Sequence, residues 1–234
     1  MYGLMVMLGV VVCNSIAMII SRKKENAYLE FILPTFCGAI SAIIGAKALG
    51  IVSIMLKGAI LNSFGEILDN AGYSYFGGLA AFLFTFGAIC KARSIEYVQF
   101  ERYYLFLIPL LHVFWKIGCF MGGCCFGIPY NGPGAVTFPD RVNSLSGVSV
   151  FPVQILEAVG AVLIVIVMII RRESFVSPLS IFLIMYGLER FVIEFLRYHP
   201  NGTWFSKEHV YSVICTCAGV MIRVDKSKKL RSMT

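Results

Sequence analysis

Apolar residues along this chain come in seven long blocks, at about 2–20, 31–56, 75–92, 103–121, 152–170, 177–196 and 207–222. Each approaches the roughly 20 residues that a helix rising about 1.5 Å per residue needs to cross a bilayer core. The polar segments between them are too short to form a soluble lobe. The pattern predicts an all-α, polytopic membrane protein with about seven transmembrane helices, a single integral membrane domain over residues 1–234. Pro34, Gly38, Gly45 and Gly50 in the second block predict a tilted or broken helix there. The first block is long for a signal sequence and lacks a basic lead and a cleavage site, so it is expected to stay as a spanning helix.

Charge sharpens this picture. Only 14% of residues are charged and 58% are hydrophobic, against about 25% charged in soluble domains. The net charge of +7 raises nucleic acid as a partner, but its distribution argues against one. Basic residues cluster in short runs beside the apolar blocks: Arg22-Lys23-Lys24, Lys91 with Arg93, Arg171-Arg172, and the tail from Arg223 to Arg231. Such runs set topology and meet anionic headgroups. With the N-terminus outside and the C-terminus inside, all four runs face the cytoplasm. The outer segments 57–74, 122–151 and 197–206 then hold only Lys57, Arg141 and Arg197 as basic residues. Segment 122–151 is a glycine-rich outer arm, long enough to be a functional lid.

Some charges sit inside the apolar blocks. In Ile181 to Arg197, Arg190, Glu194 and Arg197 fall at i, i+4 and i+7, one face of a helix. Each ionisable group at bilayer depth costs about 2.5–3.5 kcal/mol, so an internal polar site is implied. The three form either an anion cradle, with arginine forks on a phosphate, or an interhelical ion-pair network. Topology places Arg197 at the outer interface, with Tyr2, Lys116 and His209 on the same side. A second constellation is Trp115 to Gly127, where Lys116, Gly118, Cys119, Cys124 and Gly127 surround a turn open to close backbone approach, and His112 precedes Lys116 at i−4. A glycine-rich packing corner is the alternative reading. Gly77 and Gly78 open the third block and admit either a headgroup or a simple helix start. Lys47 in the second block needs a partner, and Glu157 in the fifth is a sensible one.

Eight cysteines are present. Most lie in or beside apolar blocks, where a thiol acts as a small hydrophobe. His112, Cys119, Cys124 and Cys125 match no familiar zinc spacing, and adjacent cysteines seldom both ligate one ion, so no metal and no cofactor are expected.

In this order, the pieces resemble the prolipoprotein diacylglyceryl transferase family over most of the chain. Tyr2-Gly3-Leu4-Met5 is similar to that family's Tyr-Gly-Leu-Met, Gly45-Ala46-Lys47 to its Gly-Ala-Arg, and Phe76-Gly77-Gly78 to its His-Gly-Gly. Lys116 to Gly127 resembles its Gly-Arg-(Ile/Leu)-Gly-Asn-Phe-x-x-Gly-Glu-x-x-Gly signature. Phe151-Pro152-Val153-Gln154 with Glu157 resembles His-Pro-x-Gln-x-x-Glu, and Arg190, Glu194 and Arg197 match Arg-x-x-x-Glu-x-x-Arg unchanged. Phe76 stands at the family's histidine, Lys47 and Lys116 at arginines, Cys119 at an asparagine and Cys124 at a glutamate, the pattern of a divergent, cysteine-bearing branch.

The resemblance implies a bacterial cytoplasmic-membrane enzyme that transfers diacylglycerol from phosphatidylglycerol to the lipobox cysteine of a prolipoprotein signal peptide, with no cofactor. It implies Lys116, Arg190, Glu194 and Arg197 as catalytic residues, and with Phe76 unable to take a proton, His112, one helical turn from Lys116, completes the set as replacement base. Tyr2, Lys47, Gly77, Gly78, Gly118, Cys119, Cys124, Gly127, Gln154 and Glu157 would bind substrate. The alternative is a non-catalytic or re-purposed paralogue that binds anionic phospholipid and serves another acceptor.

Overall fold

The computed structural model describes residues 2–23, 27–56, 64–95, 97–139, 145, 147–172, 176–200 and 202–231. Lys24, Lys57 and Arg141 of the topology argument lie outside the described residues. The described chain is all-α apart from one short strand pair. In order it forms α1 (Tyr2–Lys23), α2 (Ala27–Met55), α3 (Phe64–Asn70), α4 (Tyr75–Ala92), α5 (Tyr97–Tyr103), α6 (Leu107–Met121), β1 (Val136–Thr137), β2 (Ser149–Val150), α7 (Val153–Ile170), α8 (Pro178–Glu194) and α9 (Lys207–Arg231). It falls into two compact units, residues 18–100 and residues 1–17 with 101–234.

In the first of these units α2 packs along α4. The glycines that promised a broken α2 instead form its packing seam. A Cβ at Gly45 would meet Ala81 and the Gly77 carbonyl, one at Gly38 would meet Phe82, and one at Gly50 would run into the Gly72 carbonyl. Small residues let two apolar helices approach closely. Pro34 lies inside α2 without ending it, as spanning helices tolerate. Phe86, wholly buried, centres an aromatic nest with Phe31, Phe82, Tyr97 and Phe100.

In the other unit α6 packs on α7, α7 on α8, and α8 on α9. The first turns of α1 lie on α6, where Gly118 admits the Tyr2 backbone and Gly9 faces Phe114. Block 103–121 departs from the expected single helix: α5 and α6 meet at a 46° bend. Pro109 in the first turn of α6 has no N–H to return to Leu105, and the break at Tyr104 to Phe106 is closed by i→i−3 bonds, Leu107 N to Tyr104 O and Ile108 N to Leu105 O.

Among the described residues, four helical stretches are long and apolar enough to cross a membrane, Tyr2–Ser21, Glu30–Met55, Tyr75–Ala92 and Val153–Ile170, and the bent α5–α6 pair makes a fifth if it is one span. The other two of the seven expected spans fall on α8, which has 17 residues, and on α9, whose second half carries Arg223 to Arg231. Leu4, Met7, Val11, Ile43, Ile44, Phe84 and Ile170 are all exposed. Apolar side chains turned outward along whole helices suit lipid as solvent and not water.

Candidate functional site

α8 carries Arg190 and Glu194 one turn apart, and Arg190 Nη2 meets Glu194 Oε2 at 2.7 Å. The helix ends at Glu194. Phe195, Leu196 and Arg197 follow in a tight turn, with Arg197 N donating to Glu194 O at 3.2 Å. Arg197 therefore leaves the helical face on which its spacing placed it. It joins an extended segment bridged antiparallel to Gly127, and its guanidinium turns back to the cluster, 3.4 Å from Glu157 Oε1.

Glu157, on the second turn of α7, is the hub. Its Oε2 lies 2.5 Å from Lys116 Nζ of α6, and its Oε1 accepts from Arg190 Nη1 at 2.9 Å. Glu194 is the second anion. It also accepts from Ser206 Oγ at 2.7 Å, and His199 Nε2 stands 3.4 Å from Oε1. Lys116, Arg190, Glu157 and Glu194 are all buried. Three cations thus surround two carboxylates, which leaves one positive charge in excess in this cluster. Burial opposes the Arg197 charge, but Glu157, then Cys125 and Glu194, outweigh it and push its pKa above the ordinary guanidinium value.

Lys47 and Glu157, expected as a pair, each have partners inside their own unit. Lys47 Nζ donates to Ala71 O at 2.6 Å and lies 4.7 Å from the centre of the Tyr73 ring. Gly77 and Gly78 are taken up by α2: a Cβ there would meet the Gly45 and Ala42 carbonyls. Both glycines lie in the first turn of α4 and serve its packing on α2. His112 is buried on α6 with its ring edge-on to Tyr186, centroids 5.6 Å apart. Tyr2 packs edge-on to Trp115 at 6.4 Å.

The end of α6 explains the cysteines. Gly123 takes a left-handed φ of 63°, and the chain closes with Gly123 N to Phe120 O at 3.1 Å and Cys124 N to Cys119 O at 3.0 Å. This pair of bonds is a Schellman stop, which needs glycine at the left-handed position. It folds Cys124 back over Cys119. Cys125 follows with a φ of 60°, rare for a non-glycine residue, and this turns its side chain toward the other two. The three Sγ atoms lie within 4.8 Å of one another. Hydrogen bonds with the Cys119 and Cys124 thiols, ahead of the charges of Arg197 and Lys116, hold the Cys125 thiol well below its ordinary range against the effect of burial. Gln154, fully buried, donates to Cys124 O at 2.7 Å and holds the turn to α7. Beyond it, Gly127 N donates to Phe151 O at 2.9 Å and Ile128 N to Leu196 O at 3.0 Å, so the arm is clamped between the starts of two other segments. A Cβ at Gly127 would come within 2.6 Å of both the Leu196 and Phe151 carbonyls.

A family model described as prolipoprotein diacylglyceryl transferase matches residues 1–224. The chain belongs to that family. Among relatives, the phosphatidylglycerol–prolipoprotein diacylglyceryl transferase of Clostridium tetani is 26% identical, over 97% of this chain and 94% of its own length. The enzyme of the same name from Finegoldia magna is 27% identical, over 98% and 92%. That from Campylobacter jejuni is 31% identical over 60% of this chain and 51% of its own length. Of the ion cluster, Glu157, Arg190, Glu194 and Arg197 stand where the resemblance to the family motif is unchanged, and Lys116 is its one departure. The departures Lys116, Cys119 and Cys124 all fall on the last turns of α6 and its stop.

Sequence reasoning missed three groups. Cys125, weighed with His112, Cys119 and Cys124 and set aside because adjacent cysteines seldom share an ion, is brought in by its left-handed φ. Ser206 and His199 reach Glu194 from short polar segments with no periodicity to mark them. Glu189 precedes Arg190 and points elsewhere: its carboxyl fills the space over Gly160 of α7, both oxygens buried and without a hydrogen-bond partner among the described residues. An acidic residue in an apolar block was the available signal.

Proposed function

We propose that this chain transfers the diacylglyceryl group of phosphatidylglycerol to the thiol of a lipobox cysteine, at the outer leaflet of a bacterial cytoplasmic membrane, with its N-terminus outside and its C-terminus inside. The observation that carries the reading is the buried cluster of three cations on two carboxylates, with one positive charge in excess. A phosphodiester monoanion is the ligand that balances it. Arg190 and Arg197 present planar forks suited to phosphate oxygens, and Lys116 adds a point charge. Glu157 and Glu194 hold these cations in place before the lipid arrives, which is the form of electrostatic stabilisation that costs no reorganisation during reaction.

In the reaction the acceptor sulfur attacks the glyceryl carbon of the diacylglycerol moiety. The carbon–oxygen bond to phosphate breaks, glycerol phosphate leaves with the electron pair, and its growing charge falls on the cationic cluster. The acceptor thiol must lose its proton. His112, at i−4 from Lys116 on α6, is the proton acceptor in this reading. Gln154, Gly127 and the stop at Gly123 fix the turn that closes over the site.

The test is direct. Purified full-length protein in lipid nanodiscs containing phosphatidylglycerol is mixed with a lipobox peptide, and mass spectrometry looks for the peptide carrying one diacylglyceryl group. Absence of that product across a broad pH range, with phosphatidylglycerol bound, sinks the reading. A second reading is a lipid-binding paralogue that serves another acceptor, favoured by buried Phe76 at the family's histidine. It predicts phospholipid binding that weakens in Arg190→Ala, together with no effect of His112→Ala on any product formed.

A further inference from the structure

We propose that Cys119, Cys124 and Cys125 hold a thiophilic divalent cation of the zinc class, and that its open fourth position takes the acceptor thiol. The proposal rests on the transferase reading for the identity of the acceptor, but not for the metal. Its basis is the mutual placement of three sulfur atoms, all within 4.8 Å of one another. Zinc–sulfur bonds of about 2.3 Å put tetrahedral ligand sulfurs about 3.8 Å apart. The thiols therefore stand at ligand spacing with little movement required.

The backbone makes this arrangement. The stop at Gly123 pins Cys124 over Cys119, and the φ of 60° at Cys125 overcomes the tendency of neighbouring side chains to diverge. Gln154 Nε2 anchors the Cys124 carbonyl from α7, and the bridge of Gly127 to Arg197 fixes the chain two residues after Cys125. Ligands held this way are oriented before an ion arrives, as metal sites need. Lys116 lies one turn before Cys119 on α6.

Three protein ligands with one open position is the pattern of a reactive site, not a closed structural one. A thiol that coordinates there gives up its proton outright. In the transfer, the bound acceptor sulfur forms its bond to the glyceryl carbon as the carbon–oxygen bond to phosphate breaks. The released thiol proton passes to His112, the acceptor of the transferase reading, and from there to the leaving glycerol phosphate, and the metal keeps its oxidation state. The thioether product is a weaker ligand and departs.

The experiment uses the full-length reduced protein in detergent, titrated with Cd²⁺ and followed by thiolate-to-metal charge-transfer absorption. One equivalent per chain is expected, with Cys124 and Cys125 becoming protected from a maleimide, Cys119 being buried already. Cys217→Ser, an exposed thiol elsewhere, leaves this stoichiometry unchanged. Cys125→Ser weakens binding at least tenfold, and the maleimide protection in the unaltered chain carries the test if that variant does not fold. A lipobox peptide with cysteine then shifts the ¹¹³Cd resonance, and the same peptide with serine does not. No stoichiometric metal on the reduced protein overturns the proposal, and an unchanged resonance with the cysteine peptide overturns the open position. Metal bound without diacylglyceryl transfer leaves the site standing and removes the transferase reading. Full transfer activity in chelator-treated, metal-free protein does the reverse.

Discussion

Glu157 holds the site together more than any of the arginines do. It touches Lys116, Arg190 and Arg197 from one buried carboxylate. Removing it leaves three cations around Glu194 alone, and loss of one member of a buried ion network costs about 3–5 kcal/mol. Glu157→Ala is therefore expected to lower the midpoint of thermal unfolding in detergent sharply. An unchanged midpoint would show that the cations find other counter-charge. Glu189 makes the opposite case. Its two oxygens are buried without a hydrogen-bond partner among the described residues. An unsatisfied polar group of this kind costs about 1–3 kcal/mol. Glu189→Leu is expected to raise the same midpoint by a corresponding amount, and a fall would mean that the carboxyl has a native partner. The unequal worth of these two glutamates was only partly legible in sequence. Spacing put Arg190 and Glu194 together, because i,i+4 pairs follow from helix geometry alone. It did not show that Glu157, 33 residues before Arg190, would be their common partner, because tertiary pairing has no period.

Among the elements, the stop of α6 links fold to chemistry. Its glycine at 123 is required by a φ of 63°, and the bonds it permits place Cys124 over Cys119. A Cβ in the left-handed region costs roughly 1–2 kcal/mol. Gly123→Ala is expected to cost about that much stability and, more tellingly, to reduce mutual thiol proximity, read as slower Cys119–Cys124 cross-linking by a short bifunctional reagent. Cross-linking at the native rate would mean that the turn does not set the sulfur geometry. The same distinction between spacing and close approach explains α2. Pro34 and three glycines read as breaks in one dimension, whereas α2 runs through all four, and Gly38 and Gly45 lie against α4. Likewise the bend between α5 and α6 was hidden in a continuous apolar block, because hydropathy does not register the missing N–H of Pro109.

At the scale of the whole molecule, the proposed topology would tie the site to one side of the membrane. α1, α4 and α7 end in Lys23, in Lys91 and Arg93, and in Arg171 and Arg172 respectively, with Lys91, Arg93, Arg171 and Arg172 all exposed. In the orientation proposed above, the positive-inside rule assigns these ends to the cytoplasm. Within the unit that holds the ion cluster, Lys116 lies near the end of α6, Glu157 near the start of α7, and Arg190 and Glu194 near the end of α8. The salt bridges gather these charges at the start of α7, opposite its basic end. On the proposed orientation the start of α7, and the glycine-rich arm after α6, would be external. A fluorescent protein fused after Thr234 is expected to fluoresce, and a protease site inserted after Gly134, where the backbone has room for a turn, is expected to be cut from outside in spheroplasts. Cleavage only after lysis would invert the topology, and with it the leaflet from which the cationic cluster draws its phospholipid.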